Sequence, residues 1–226
     1  MQALILAGGQ GTRLRPLTND CPKGMVLLNG KPLLEYVLTQ LPDAVTDIVL
    51  VVGYKEEKIR EYFGNEWQGH RVRYVHQETQ QGTWDAVYRA KDFITEKFIM
   101  LYGDDVGDKK AFTEASQYDY CLLAAEREHP ERYGVVELNS NGTLKALVEK
   151  PENPTTNLVN SGAMILSPEI FSREPYEHKR LGEFLLTDML SDIAREKPVH
   201  VVRQNQWITV TYPEDVIKAE KLLKRA

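Results

Sequence analysis

The sequence predicts an α/β fold: a three-layer α/β/α sandwich with a mainly parallel, Rossmann-like mixed sheet and a small strand-rich lobe. Three observations support this class. Strand-length apolar runs alternate with helix-period patterns through the first half of the chain, as in repeated β-α-β units. A glycine-rich loop follows the first apolar run. Shorter strand-like segments, joined by turn residues, follow in the second half.

Four apolar runs in the first half predict buried strands, at residues 3–6, 48–52, 98–102 and 121–125. Two helices are expected among them. Pro32 opens one, whose leucines and valines share one face as far as Leu41. Residues 55–63 form the other, which Gly64 ends. The first half is therefore expected to build the parallel part of the sheet.

Shorter strands are predicted in the second half at residues 134–138, 144–149 and 158–166. They are expected to form a strand-rich insertion over one edge of the sheet. Helical spacing returns at residues 184–195 and 214–224. Because no linker, repeat or low-complexity segment interrupts the chain, residues 1–226 are expected to form a single domain, with a first part of about 1–125 and a second of about 126–226.

Composition narrows the functional classes. The chain has 226 residues, of which 42% are hydrophobic and 27% charged, so it can bury a full core. Cys21 and Cys121 lie far apart with no metal-ligand spacing, which favours a reduced, cytoplasmic protein. The start lacks the basic segment of a signal peptide, and no apolar run is long enough to span a membrane. A net charge of -5 argues against a nucleic-acid partner.

The most informative segment is the loop after the first predicted strand, Leu-Ala-Gly-Gly-Gln-Gly-Thr-Arg, which runs from Leu6 to Arg13. Glycines at this place let backbone N–H groups approach a phosphate closely. Arg13 and Lys23 would supply positive charge. The loop is not a P-loop, and Leu14 stands where a dinucleotide fingerprint has its third glycine. A plain tight turn with two solvated cations is the alternative.

The whole run, with Gly-x-Gly-Thr-Arg, Pro-Lys and Gly-Lys-Pro-Leu-Leu, resembles the sugar-1-phosphate nucleotidyltransferase family. More of the family's motifs follow in the expected order: Gln77 with Gly82-Thr83, Gly103-Asp104, Tyr133-Gly134, Glu149-Lys150-Pro151, Asn160-Ser161-Gly162, and Trp207 before Pro213-Glu214-Asp215. The resemblance implies a nucleotide-binding sheet, a sugar-binding lobe and a reaction that joins a nucleoside triphosphate to a sugar-1-phosphate with release of pyrophosphate. It is compatible with a homo-oligomer.

The resemblance also implies roles for individual residues. The nucleotide would be held by Leu6, Ala7, Gly8, Gly9, Gly11, Thr12, Gln77, Gly82 and Thr83. Catalysis would depend on Arg13, Lys23 and Asp104, with Asp104 also a ligand of Mg²⁺. The sugar would be held by Gly134, Glu149, Lys150 and Asn160. The amide of Gln77 can pair with uracil or thymine, or after a flip with cytosine, so the residue favours a pyrimidine, with UTP or dTTP expected.

Two positions depart from the family pattern. Thr209 stands where the second metal ligand, an acid or Asn, is expected, and a neutral hydroxyl offers less charge to a hard cation. Trp84 follows Gly-Thr where relatives commonly carry a small residue, so it either narrows the pocket or anchors the next helix. The substitution at Thr209 leaves room for a weakly active regulatory relative that binds nucleotide and sugar.

A second enzymatic alternative is a cytidylyltransferase for a phosphorylated alcohol such as phosphocholine, although choline would require an aromatic cage. Each of these motifs also has an ordinary structural interpretation without a ligand. Asp104 and Asp105 can be ordinary turn acids, Gln77 a polar loop residue, and Glu149 with Lys150 an exposed pair at a strand end.

Overall fold

A computed structural model describes residues 1–224 and shows a single large sheet with helices on both faces. The strands are β1 (Gln2–Leu6), β2 (Leu27–Leu28), β3 (Lys31–Pro32), β4 (Asp47–Val52), β5 (Glu66–Trp67), β6 (His70–His76), β7 (Phe98–Tyr102), β8 (Asp105–Val106), β9 (Cys121–Glu126), β10 (Gly134–Leu138), β11 (Leu144–Glu149), β12 (Leu158–Leu166), β13 (His200–Arg203) and β14 (Ile208–Thr209). The helices are α1 (Leu33–Thr39), α2 (Glu56–Phe63), α3 (Thr83–Arg89), α4 (Lys109–Ala115), α5 (Leu186–Glu196) and α6 (Pro213–Leu223).

The centre of the sheet is parallel. β1 lies between β4 and β7, with Leu4 opposite Val49 on one side and Met100 on the other. β6 continues the parallel order beyond β4. Because parallel strands end at the same edge, the segments that follow β1, β4, β6 and β7 meet there. That edge carries the glycine loop and the Gly-Asp motif.

The predicted strands of the second half are confirmed, and they extend the main sheet instead of forming a separate one. β12 pairs antiparallel with β7 through its second half and with β10 near its start, and it pairs with β9 in both halves. The register shifts around Gly162, whose φ is 80°. A Cβ there would lie 2.6 Å from both Asp105 Oδ2 and the Tyr102 ring, so only glycine lets β12 pass the end of β7.

Side chains alternate between two cores, as a three-layer sandwich requires. Ala3 and Ile5 of β1 belong to one core with α1, α2 and α4, and Leu4 belongs to the other with α3 and α5. Trp84 is 1% exposed in the second core, where its ring stacks on Phe171. The tryptophan therefore anchors α3 and does not narrow a pocket.

Several boundaries differ from the sequence prediction. Pro32 belongs to the short strand β3, and α1 begins at the next residue. Leu41 lies beyond α1 yet is buried. Lys55 precedes α2 in a left-handed conformation with φ 51°. Phe184 lies outside α5, and its backbone is hydrogen-bonded to Gln81 and Trp84 at the start of α3. In the described residues no helix is long and apolar enough to cross a membrane.

Candidate active site

A cleft of about 610 Å³ opens where β1 and β7 end. All the residues predicted for nucleotide binding and catalysis line it: Leu6, Ala7, Gly8, Gly9, Gly11, Thr12, Arg13, Lys23, Gln77, Gly82, Thr83 and Asp104. The glycine loop, the two cations and the carboxylate therefore face one common space. Their roles toward a ligand remain predictions.

The glycine loop is fixed in a shape that suits an anion. Gly11 is left-handed, with φ 61°, and a Cβ there would lie 3.0 Å from Thr18 Cγ2 and 3.1 Å from Lys23 Cβ. The Thr18 hydroxyl donates to the Gly11 carbonyl at 2.7 Å, and Gln80 Nε2 donates to the Gly8 carbonyl at 2.8 Å. Within residues 1–224 the backbone N–H groups of residues 8–11 have no acceptor. They are available to a phosphate.

Lys23 and Asp104 form an ion pair across the cleft, joining the glycine-loop side to the end of β7. Their side chains are only 16% and 28% exposed, so water weakens the attraction less than at the surface. Arg13 lies at the exposed mouth, with its guanidinium 5.8 Å from the centroid of the Tyr212 ring. The cleft thus brings Arg13, Lys23 and Asp104 together, a combination that suits phosphate groups with a bound metal ion.

Asp105 and Thr209 pair with each other, away from the cleft lining. Thr209 of β14 lies opposite Asp105 of β8, and it is Thr211 that lines the cleft. Burial raises the pKa of the Asp105 carboxyl, and the charge of Asp104 raises it further. The sequence assignment of Thr209 to a metal site therefore gains no support from its position.

The cleft residues suit a magnesium ion whose ligands come mostly from the phosphates of a bound nucleotide and from water. Within residues 1–224 no group of three or more His, Cys, Asp or Glu side chains is placed to hold a metal. Magnesium commonly takes one or two carboxylates and completes its shell with phosphate oxygens and water. Asp104, partly exposed at the edge of the sheet, is a suitable single carboxylate.

Gln77, the residue predicted to recognise the base, lines the cleft and is 7% exposed. Its backbone N–H donates to the Val52 carbonyl at 2.7 Å, and its Nε2 donates to Asp85 Oδ2 at 3.0 Å. Its Oε1 lies 3.0 Å from the place of a Cβ on Gly8. A glycine at position 8 therefore makes room for this amide.

The four residues predicted to bind the sugar lie outside the cleft lining. A Cβ on Gly134 would lie 3.1 Å from Glu149 Oε2 and 3.6 Å from Asn160 Cβ, so these three residues form a second cluster. Burial raises the pKa of the Glu149 carboxyl, while the charge of Lys150 opposes that shift. Arg180 Nη2 donates to the carbonyls of Glu149 and Lys150, at 2.5 and 3.0 Å, and holds the end of β11.

Tyr102 connects this second cluster to the cleft. It is the last residue of β7 and lines the cleft. Burial raises the pKa of its phenol, and the carboxylates of Glu149, Asp105 and Asp104 raise it further. The hydroxyl therefore stays protonated and can donate a hydrogen bond. A polar residue ending an apolar strand is a signal that sequence reasoning could have used.

Other cleft residues were not predicted: Gln10, Gly24, Gln80, Ala86, Gly103, Glu183 and Thr211. Glu183 belongs to the segment before α5 and lines the cleft. The backbone of Phe184 accepts from Trp84 and donates to Gln81, both at 2.9 Å. No local sequence signal placed Glu183 here, because its position depends on this contact between distant segments.

A parallel-centred α/β sheet with a glycine loop, two cations and a carboxylate at its carboxyl edge is typical of proteins that bind nucleotide phosphates. The chain belongs to the nucleotidyl transferase family, whose model matches residues 2–225. The family resemblance seen in the motifs is thereby confirmed.

Two curated relatives illustrate the likeness. The bifunctional protein GlmU of Methanocaldococcus jannaschii is 36% identical over 99% of this chain, which spans 54% of that protein. The UTP–glucose-1-phosphate uridylyltransferase AglF of Haloferax volcanii is 36% identical over 99% of this chain and 97% of its own length. The chain thus spans about half of the first relative and nearly all of the second.

Solved structures show the same fold. A UDP-glucose pyrophosphorylase complexed with UDP-glucose superposes with a TM-score of 0.85 at 24% identity, covering 100% of this chain and 99% of that one. A UDP-glucose pyrophosphorylase from Acinetobacter baumanii gives a TM-score of 0.84 at 20% identity, covering 97% and 91%. The predicted α/β class is confirmed.

Proposed function

We propose that this protein joins a nucleoside triphosphate, UTP or dTTP, to a sugar-1-phosphate and releases pyrophosphate. The observation that carries the proposal is the convergence of the free backbone N–H groups of residues 8–11 with Arg13, Lys23 and Asp104 in one cleft. A triphosphate needs such a combination of N–H donors, cations and one carboxylate for its metal ion. The relative AglF, a UTP–glucose-1-phosphate uridylyltransferase matched along nearly its full length, supports UTP and a sugar-1-phosphate.

The second cluster supports a hydroxyl-rich cosubstrate. Glu149 offers carboxylate acceptors, and Asn160 offers an amide oxygen that accepts from the Gly162 N–H at 2.9 Å together with free amide donors. A buried sugar hydroxyl without a partner costs about 1–3 kcal/mol, so a sugar site needs both kinds of group. Tyr102 adds a donor between this cluster and the cleft.

The reaction on these residues is an in-line displacement. An ionised oxygen of the sugar phosphate attacks the α-phosphorus, the new P–O bond forms, and the bond from the α-phosphorus to the bridging oxygen breaks, so that pyrophosphate leaves. No general base is required, because the attacking oxygen carries no proton near neutral pH. Catalysis therefore depends on positioning and on neutralising charge.

The glycine loop, the two cations and Asp104 each have a defined part in this scheme. The N–H groups of residues 8–11 hold phosphate oxygens, and Arg13 at the mouth neutralises the departing pyrophosphate. Lys23 contacts both the attacking and the α-phosphate. Asp104 would hold Mg²⁺, which supplies charge stabilisation to the phosphates when bound.

A direct test is to incubate the protein with UTP, dTTP, CTP or ATP, a panel of sugar-1-phosphates and Mg²⁺, while measuring pyrophosphate release. We expect release with a pyrimidine triphosphate and at least one sugar phosphate. Arg13→Ala and Lys23→Ala should each lose roughly 10²- to 10³-fold in kcat while keeping their circular dichroism spectrum. Lys109→Ala, which removes an exposed ion pair with Asp43, is the matched charge control. Absence of pyrophosphate from every pair would refute the proposal.

A further inference from the structure

The Gln77 amide has a partner that decides which way it points. Gln77 Nε2 donates to Asp85 Oδ2 at 3.0 Å. Asp85 is itself held from the next turn of α3, where Arg89 Nε lies 3.2 and 3.0 Å from its two oxygens. The Asp85 side chain is only 15% exposed. An ionised carboxylate paired with arginine accepts hydrogen bonds and donates none.

This contact prevents the amide from flipping. In the opposite orientation Gln77 Oε1 would take the place of Nε2 and face Asp85 Oδ2 at about the same 3.0 Å separation. Two hydrogen-bond acceptors, Gln77 Oε1 and Asp85 Oδ2, would then face each other and repel where both side chains are largely buried. The Nε2 hydrogens would also lose their acceptor. The orientation of the amide is therefore fixed before any base arrives.

A fixed amide distinguishes the pyrimidines. Uracil and thymine present an N–H donor beside a carbonyl acceptor, which match Oε1 and the remaining Nε2 hydrogen. Cytosine presents a ring acceptor beside an amino donor in the same positions. If the amide is held in one orientation, the ring acceptor of cytosine faces Gln77 Oε1 and its amino group faces Gln77 Nε2. Neither pair can form a hydrogen bond.

We infer that Asp85 is a positioning residue that sets base specificity: it holds the Gln77 amide in the orientation that accepts uracil or thymine and rejects cytosine. The inference rests on the proposed function and on the contact between Gln77 and the base that the family resemblance implies. Asp85 touches no substrate atom. It acts through the Gln77 amide. Its effect is therefore expected on the ratio of kcat/KM for UTP to kcat/KM for CTP more than on kcat/KM for UTP itself.

The test is the ratio of kcat/KM for UTP to that for CTP in Asp85→Asn. Asparagine has the same shape and can either donate or accept, so the Gln77 amide becomes free to take both orientations. We expect the ratio to fall at least tenfold, mainly through better use of CTP, with kcat/KM for UTP changed only a few fold. Asp85→Ala, which removes the acceptor, should also lower the ratio and serves if the asparagine variant does not fold. Calorimetric Kd values for UTP and CTP without a sugar phosphate give a second readout.

Asp92→Asn is the matched control, because it makes the same acid-to-amide change at an exposed residue next to α3. Its ratio of kcat/KM for UTP to kcat/KM for CTP should equal that of the wild type. A folded Asp85→Asn that uses UTP with an unchanged ratio would overturn the inference and leave the proposed function standing. A wild-type protein that prefers CTP would also overturn it. Release of pyrophosphate from no nucleotide would instead refute the proposed function, and this inference with it.

Discussion

Replacing Gly82 by alanine would drive a methyl group into the backbone of Phe184. A Cβ on Gly82 would lie 2.3 Å from the Phe184 oxygen, 2.8 Å from its nitrogen and 2.9 Å from its carbonyl carbon. These atoms cannot move independently, because Phe184 is bonded to residues on both sides of Gly82. The backbone at Gly82, with φ 119° and ψ 175°, is itself a conformation that only glycine adopts readily.

The expected loss of stability has two parts. Backbone strain at such a conformation costs about 1–3 kcal/mol. Relief of the clash requires the two segments to separate, which breaks the bonds from Phe184 N to Gln81 O and from Trp84 N to Phe184 O, both 2.9 Å. Each backbone hydrogen bond contributes about 0.5–1.5 kcal/mol net. Gly82→Ala should therefore lose about 2–6 kcal/mol in the free energy of unfolding.

Urea unfolding followed by tryptophan fluorescence measures this loss. Alanine substitutions at two other glycines separate the cost of backbone conformation from the cost of the clash. Gly142 has φ 82° with nothing within 4 Å, so Gly142→Ala should lose only about 1–2 kcal/mol from the left-handed conformation. Gly9 has open space and no such φ, so Gly9→Ala should change stability by less than about 0.5 kcal/mol. If Gly82→Ala were no less stable than Gly142→Ala, the packing argument would be refuted.

Lys23→Met should tighten Mn²⁺ binding to the nucleotide-free protein by roughly tenfold, since the ammonium no longer competes for Asp104; calorimetry giving equal affinities would contradict this. Thr209→Asp should leave divalent-cation binding unchanged, because position 209 pairs with Asp105 away from the cleft lining, and tighter binding in that variant would return position 209 to the metal site. Burial raises the pKa of the Glu149 carboxyl, so folding disfavours its ionisation. The wild type should therefore lose stability relative to Glu149→Gln as pH rises from about 4 to 7, and a difference independent of pH in urea titrations would exclude this.

Much of the fold could be predicted from local sequence. β7 and β10 to β12 occupy the predicted residues, because an apolar run of strand length between turn residues has few other stable arrangements. β6, with its alternating charged and apolar residues, and the short α3 and α4 were not predicted. Their periodicity is too brief to identify, and packing against the sheet determines them.

The sequence by itself determined the α/β class, the glycine loop and the chemical identity of the cleft's cations and carboxylate, because these depend on local backbone preferences and on residue type. Only the tertiary structure decided which groups meet: Lys23 with Asp104, Gln77 with Asp85, Gly82 with Phe184, and Asp105 with Thr209. These contacts depend on the order of strands in the sheet and on the packing of helices over it. Burial of both cores sets the distances between segments that are remote in sequence. The local sequence therefore carries no pattern that predicts these contacts.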